Sequence, residues 1–237
     1  MCANKNGIIV PCKVQLRALL ETYFSLEYLL EKDRKRRAAC FLLVDYYRKL
    51  NYYKQLIPNT IENKNLLEGL KKHGFIISNL SPIKDIIRAY KNQESLINMP
   101  QYKEARIEYL KLTGNNTKNA DIKWYSLFEG PKSVKWLAMR INRFDLHEFY
   151  YKIWSNQTHG TDLSTKVLIS GDDGNGAVVQ LRNMEEAQSI AELTIMFSLV
   201  IFNLMMSKTI SMHKKEYAEW FLWYRDKHRN PIAQPIK

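Results

Sequence analysis

Apolar residues recur at intervals of three and four along most of this chain. That is the spacing of one buried helix face, not the alternation of a strand. Leu16, Leu19, Tyr23, Leu26 and Leu30 form such a stripe and predict a helix over about 13–32, entered just after Pro11. Phe41, Val44, Tyr47 and Leu50 carry the pattern on to about Ile57, with Asp33 placed to cap that second helix. The basic run Arg34-Lys35-Arg36-Arg37 falls at its start, where positive charge opposes the helix dipole. Either the run faces acidic partners or the helix begins nearer Arg37.

Pro58 and Asn59-Thr60 break the chain, and a shorter helix is expected from Ile61 to His73, with Gly74 at its left-handed C-terminal position. Ser81-Pro82 reads as a cap and first helical residue, with Asp85 in the favoured first turn and an end near Met99-Pro100. A further helix covers Tyr102 to Leu112, followed by the loop Gly114-Asn115-Asn116-Thr117. Trp124 to Pro131 reads as irregular. Ser133 caps a short helix to about Arg140, and another runs from Phe144 to Thr158 and stops at Gly160. Lys166–Ser170 and Ala177–Leu181 are β-prone and flank a turn-rich stretch, which suggests a small hairpin within 166–181.

The last third holds a long apolar helix, about 184–207, and a final helix, about 214–227, striped by Tyr217, Phe221 and Tyr224. The core of the long one, Ile195 to Met206, is about twelve residues against the roughly 20 a membrane span needs, and Glu192 and Asn203 interrupt any longer window. A central buried helix, with no membrane, is the expectation. The whole is read as mainly α: a single helical domain over 1–237, an irregular bundle with a C-terminal helical extension at about 184–229.

Composition adds one thing to this picture. The formal charge is +12, and excess positive charge attracts polyanions, nucleic acid first among them. The same charge also fits a plain solvated basic surface. Cys2, Cys12 and Cys40 show no CxxC pair and no disulfide or metal spacing, so reduced thiols in a cytoplasmic protein are expected. The N-terminus has no basic-then-apolar signal pattern.

Several chemistries fail on spacing. The loop around Gly171 lacks the Gly-Lys-Ser/Thr ending of a phosphate-binding loop, and Asn183 stands where a calcium loop starting at Asp172 would need Glu. The five histidines form no zinc pair and no HExxH, and there is no GxSxG, so neither metal nor cofactor is expected. Two features remain. Arg140 precedes His147 with six residues between them. Some metal-independent ribonucleases use such a pair, His as acid or base and Arg as stabiliser of phosphorane-like charge. His159, in Trp154-Ser155-Asn156-Gln157-Thr158-His159-Gly160, sits at an expected helix end that favours a charged imidazole. Chance spacing and a capping role are the plain readings of each. Tyr46, Tyr47, Tyr52 and Tyr53 alternate with Arg48, Lys49 and Lys54, and Phe149, Tyr150, Tyr151 and Trp154 follow later; these read as base-stacking surface or, more plainly, as core.

Three segments together carry a resemblance: Arg17-Ala18-Leu19-Leu20-Glu21-Thr22, Arg37-Ala38-Ala39-Cys40-Phe41, and Tyr151-Lys152-Ile153-Trp154-Ser155 leading to His159-Gly160. Over about 14–162 the chain is similar to the helical bacterial domain-of-unknown-function family 5677. Its members carry an early Arg/Glu helix, a central Trp segment and a late Tyr-x-x-x-Ser-x-x-x-His-Gly element. Trp124 and Gly130-Pro131-Lys132-Ser133 resemble the central part. That family in turn resembles the HEPN superfamily of helical bundles, many of them ribonucleases or nucleotide-binding partners in toxin–antitoxin and antiviral systems, often dimeric.

The resemblance implies an α-bundle and a defence role, and the first hypothesis built on it is a metal-independent endoribonuclease effector acting on RNA. His159 or His147 would be the acid/base, Arg17 or Arg140 the charge stabiliser, and Glu21, one helical turn from Arg17, part of the same polar pocket. Arg34, Lys35, Arg36, Arg37 and Arg48 would carry nucleic-acid binding. One departure stands against it: His159 lacks an Arg four to six residues upstream, and Lys152 is the nearest basic residue before it. Two other readings stay open: a non-catalytic helical module, allowed to be a homodimer, that binds nucleic acid or a protein encoded beside it, and a structural adaptor in a larger assembly.

Overall fold

The computed structural model describes residues 9–75, 84–114, 122–158, 167–169, 176–178 and 184–228. The protein is mainly α. Its chain divides into two compact units, Met1–Leu30 with Ile141–Lys237, and Glu31–Arg140.

The unit Glu31–Arg140 is organised around α2 (Arg34–Leu56). Against it pack α3 (Ile61–Lys72), α4 (Lys84–Ile97), α5 (Lys103–Thr113) and a 3-10 turn at Trp124–Ser126. The stripe Cys40, Leu43, Val44, Tyr47 and Leu50 is buried, and Tyr47 stacks on Tyr109 of α5 with ring centroids 4.2 Å apart. Thr60 caps α3 by accepting from the Asn63 amide at 3.1 Å, and the Gly74 that ends it takes a φ of 81°. The basic start of α2 is met locally. Asp33 makes no side-chain cap bond; its carboxylate instead takes Arg36 at 2.6 Å. The stretch after Trp124 is irregular, with Phe128 and Glu129 at positive φ, before α6 (Val134–Arg140) opens on the Ser133 hydroxyl.

The other unit contains α1 (Ile9–Glu31) up to Leu30, then α7 (Phe144–Leu146), a π-helical turn at His147–Tyr151, and α8 (Lys152–Thr158). Along α1 the buried positions are Cys12, Leu16, Leu20, Tyr23, Phe24, Tyr28 and Leu30, while Leu19 and Leu26 of the expected stripe lie half-buried. The hairpin consists of β1 (Val167–Ile169) and β2 (Gly176–Val178), antiparallel with Leu168 opposite Ala177. The chain closes with α9 (Met184–Lys208), a 3-10 turn at Ser211–His213 and α10 (Lys214–His228).

One expectation is overturned. The long apolar helix α9 is not a buried core helix. Ala187, Ile190 and Phe197 are buried, but Ile195, Met196, Val200 and Phe202 are exposed. It meets α10 and the turn between them, the π-helical turn, where Phe197 packs edge-on against Tyr150, and α1, through the Lys13–Glu186 ion pair; these cover only part of its circumference.

Candidate functional site

Two polar chains of side chains run along α1. Arg17 and Glu21 stand one turn apart on it and share one face. The Tyr151 hydroxyl lies between them: it accepts from Arg17 Nη2 at 3.0 Å and donates to Glu21 Oε1 at 2.8 Å. Arg17 Nε is 3.2 Å from the same carboxylate oxygen, within ion-pair range but not aligned for a hydrogen bond. The guanidinium carbon sits 5.0 Å from the centre of the Tyr151 ring, a cation–π contact. Burial pushes the Tyr151 hydroxyl above the ordinary range; the bond from Arg17 pulls it down and the one to Glu21 pushes it up. Tyr151 is therefore a neutral phenol near pH 7, a fixed donor and acceptor and not a base.

Farther along α1, Arg143 grips Glu27 with two nitrogens, Nε at 3.2 Å and Nη2 at 3.0 Å, and donates from Nε to the Tyr23 hydroxyl at 2.6 Å. Such a forked pair holds both side chains in register. The Tyr23 hydroxyl is pushed up to about 12, first by burial and then by the Glu27 hydrogen bond. Arg143, His147 and Tyr151 follow one another at intervals of four. The backbone between the last two is π-helical, a local irregularity often found at functional sites.

The described candidates part company here. Glu21 keeps 43% of its side chain exposed, so the Arg17–Tyr151–Glu21 trio reaches solvent. His147 does not: it is buried, its ring lies 5.1 Å from that of Tyr151 and 6.4 Å from that of Phe144, and its Nδ1 meets Glu148 at 3.1 Å. In the other unit, Glu31 binds Arg140 at 3.2 Å through one oxygen and Arg37 at 3.1 Å through the other. Arg37 is buried in that bridge. Arg34, Lys35, Arg36 and Arg48 are exposed, Arg36 with its guanidinium carbon 4.9 Å from the Phe128 ring centre. His159 lies outside the described residues. Among the described residues no three His, Cys, Asp or Glu side chains gather to hold a metal ion.

Tyr151 and Arg143 were not singled out by spacing as site residues, although Tyr151 opens a segment of the resemblance. The signal available for both was the four-residue interval to His147, which places all three on one side of a helix.

The profile of a family of unknown function, DUF5677, matches residues 1–177. The chain belongs to the DUF5677 family. Arg17, Glu21 and Tyr151 all fall inside the DUF5677 match, and α9 and α10 lie beyond it. No curated protein and no solved structure matches the chain.

Proposed function

We propose that this DUF5677 protein is a HEPN-like effector that cuts RNA without a metal ion, in a bacterial defence or toxin–antitoxin setting, with Arg17, Glu21 and Tyr151 as part of its site. The observation that carries the reading is the convergence of the three on one solvent-reached point from helices more than a hundred residues apart in sequence. A half-buried ionic cluster is rarely the most stabilising way to fill such a place, since desolvation offsets the attraction. Its presence beside a π-helical turn favours a role in binding or chemistry.

In this reading the 2′-oxygen of RNA attacks the adjacent phosphorus and the bond to the 5′-oxygen breaks. A base takes the 2′-hydroxyl proton and an acid supplies one to the leaving oxygen. His159 is the residue assigned to proton transfer. Arg17 stabilises the charge that builds on the phosphoryl oxygens, and Tyr151, neutral, holds the guanidinium in place. His147, enclosed by the rings of Phe144 and Tyr151, is given no part in this step; Arg140, paired with a carboxylate as Arg17 is, stays the alternative charge stabiliser.

Purified protein incubated with transfer RNA and total RNA in EDTA is expected to yield fragments ending in 2′,3′-cyclic phosphate, and His159→Ala to yield none. RNA that stays intact with the wild-type chain, alone and with candidate triggers, rejects the reading.

A second reading has its own support. Arg34, Lys35 and Arg36 stand together and exposed at the start of α2, with Asp33 paired to Arg36 beside them. A non-catalytic module binding an anionic partner would lose binding when those three are reversed to Glu, and would be indifferent to His159→Ala.

A further inference from the structure

We infer that the α9–α10 hairpin is a membrane-surface anchor that docks turn-first on anionic lipid. The Glu186–Lys208 part of α9 is long and apolar enough to cross a membrane, and only about a tenth of its most apolar stretch is buried. A helix apolar on nearly all sides belongs either in a protein core or in lipid, and α9 is not in a core. At 100° per residue, the exposed Ile195, Met196, Val200 and Phe202 fall within one arc of about 160°, opposite the buried Ala187, Ile190 and Phe197. Its Thr194 and Ser198 hydroxyls donate to carbonyls one turn back, Ile190 at 2.8 Å and Thr194 at 2.7 Å, so neither needs water.

Helix α10 gives the geometry. Its Tyr217 hydroxyl donates to the Leu199 carbonyl at 3.4 Å, so α10 folds back beside α9. It carries Glu216, Glu219 and Asp226, which hydrocarbon would not accept. The hairpin therefore lies at the boundary and does not span. Trp220 and Trp223 are exposed on α10, Lys227 Nζ sits 4.8 Å from the Trp223 ring centre, and Trp220 stacks on Tyr224. Tryptophan, tyrosine and lysine side by side are the residues that settle at headgroup level.

The charge says which end leads. Lys208, Lys214 and Lys215 flank the turn, where Met212 is 81% exposed, while Glu186 and Glu192 stand in the first half of α9. A cationic rim around an apolar tip complements anionic headgroups. It disfavours a second copy, which would bring the same lysines on a chain of charge +12. Single-stranded RNA would stack on the tryptophans but would leave the aliphatic face of α9 uncovered.

The test is co-sedimentation of the full chain with phosphatidylcholine vesicles, with and without phosphatidylserine, at low and high salt. Binding is expected only with phosphatidylserine and to weaken with salt. Lys214→Glu with Lys215→Glu, and separately Trp220→Ser with Trp223→Ser, are expected to weaken it about tenfold or more. Met212→Asp, at a position 81% exposed where little folding stability is at stake, is expected to do the same. Four results overturn the inference: no sedimentation with phosphatidylserine vesicles; vesicle association that resists alkaline carbonate, which marks a spanning helix; light scattering that gives a dimer dissociated by the tryptophan changes without lipid binding; or RNA binding lost with those changes without lipid binding.

Discussion

The Tyr151 hydroxyl donates to Glu21 at 2.8 Å across 130 residues of sequence, while accepting from Arg17 at 3.0 Å. One oxygen thus ties the π-helical turn to α1 and fixes the spacing between an acid and a base on the same helix face. Tyr151→Phe removes both bonds and leaves the half-buried guanidinium with one partner fewer. A loss of about 1–2 kcal/mol is expected in urea unfolding. Glu21→Gln, at a more exposed side chain that keeps its hydrogen-bonding oxygen, should cost less than that. An unchanged midpoint for Tyr151→Phe would show that the bridge holds nothing in place.

Arg143 and Glu27 form the firmer of the two ties, because the contact is forked and Tyr23 completes it. Arg143→Lys keeps the charge but gives up the fork. It should therefore destabilise, and in a double-mutant cycle with Glu27→Gln the two losses should be less than additive. Simple addition of the two would mean that the pair is not coupled.

Burial pushes the hydroxyls of Tyr23 and Tyr109 up to about 12, each in its own unit. Unfolded, both would ionise near pH 10. Below pH 10 the folded and unfolded chains hold the same protons at these sites. Between pH 10 and pH 12 the unfolded chain releases them first, so stability falls as pH rises through that window. Phenolate absorbance should show a class of tyrosines that ionises only with unfolding, and Tyr23→Phe should shrink it. A single early titration of all tyrosines would contradict this.

Cys12 and Cys40 are buried, and burial raises both thiols, Cys40 to about 11. A thiol so placed carries little thiolate near neutral pH. In a Cys2→Ser variant, a disulfide-exchange reagent should find no fast-reacting thiol in the native protein and two after denaturation. Rapid native labelling would mean that α1 or α2 opens readily.

The helical order was legible because each break carries its own chemistry: Thr60 at the start of α3, Gly74 at its end, Ser133 before α6. The family was legible from Arg17, Glu21, Arg37, Tyr151 and their neighbours. What the sequence concealed was context. Arg37 sits in a basic run that reads as surface, yet it turns inward to Glu31, because a helix start places successive residues on different sides. His147 reads as a spaced partner of Arg140, but Phe144 and Tyr151, three and four residues away, close over it. The apolarity of α9 was plain, but its burial was not, since hydrophobicity alone does not say whether protein or lipid will cover it.

The most direct test of the proposed site compares RNA cleavage in EDTA by Arg17→Ala and by His147→Gln, both checked for native helicity. With Arg17 at the phosphoryl charge and His147 outside the chemistry, Arg17→Ala should lose roughly a hundredfold or more in rate, and His147→Gln should cut as the unaltered chain does. Loss of cleavage on changing His147, with Arg17→Ala still active, would contradict the account.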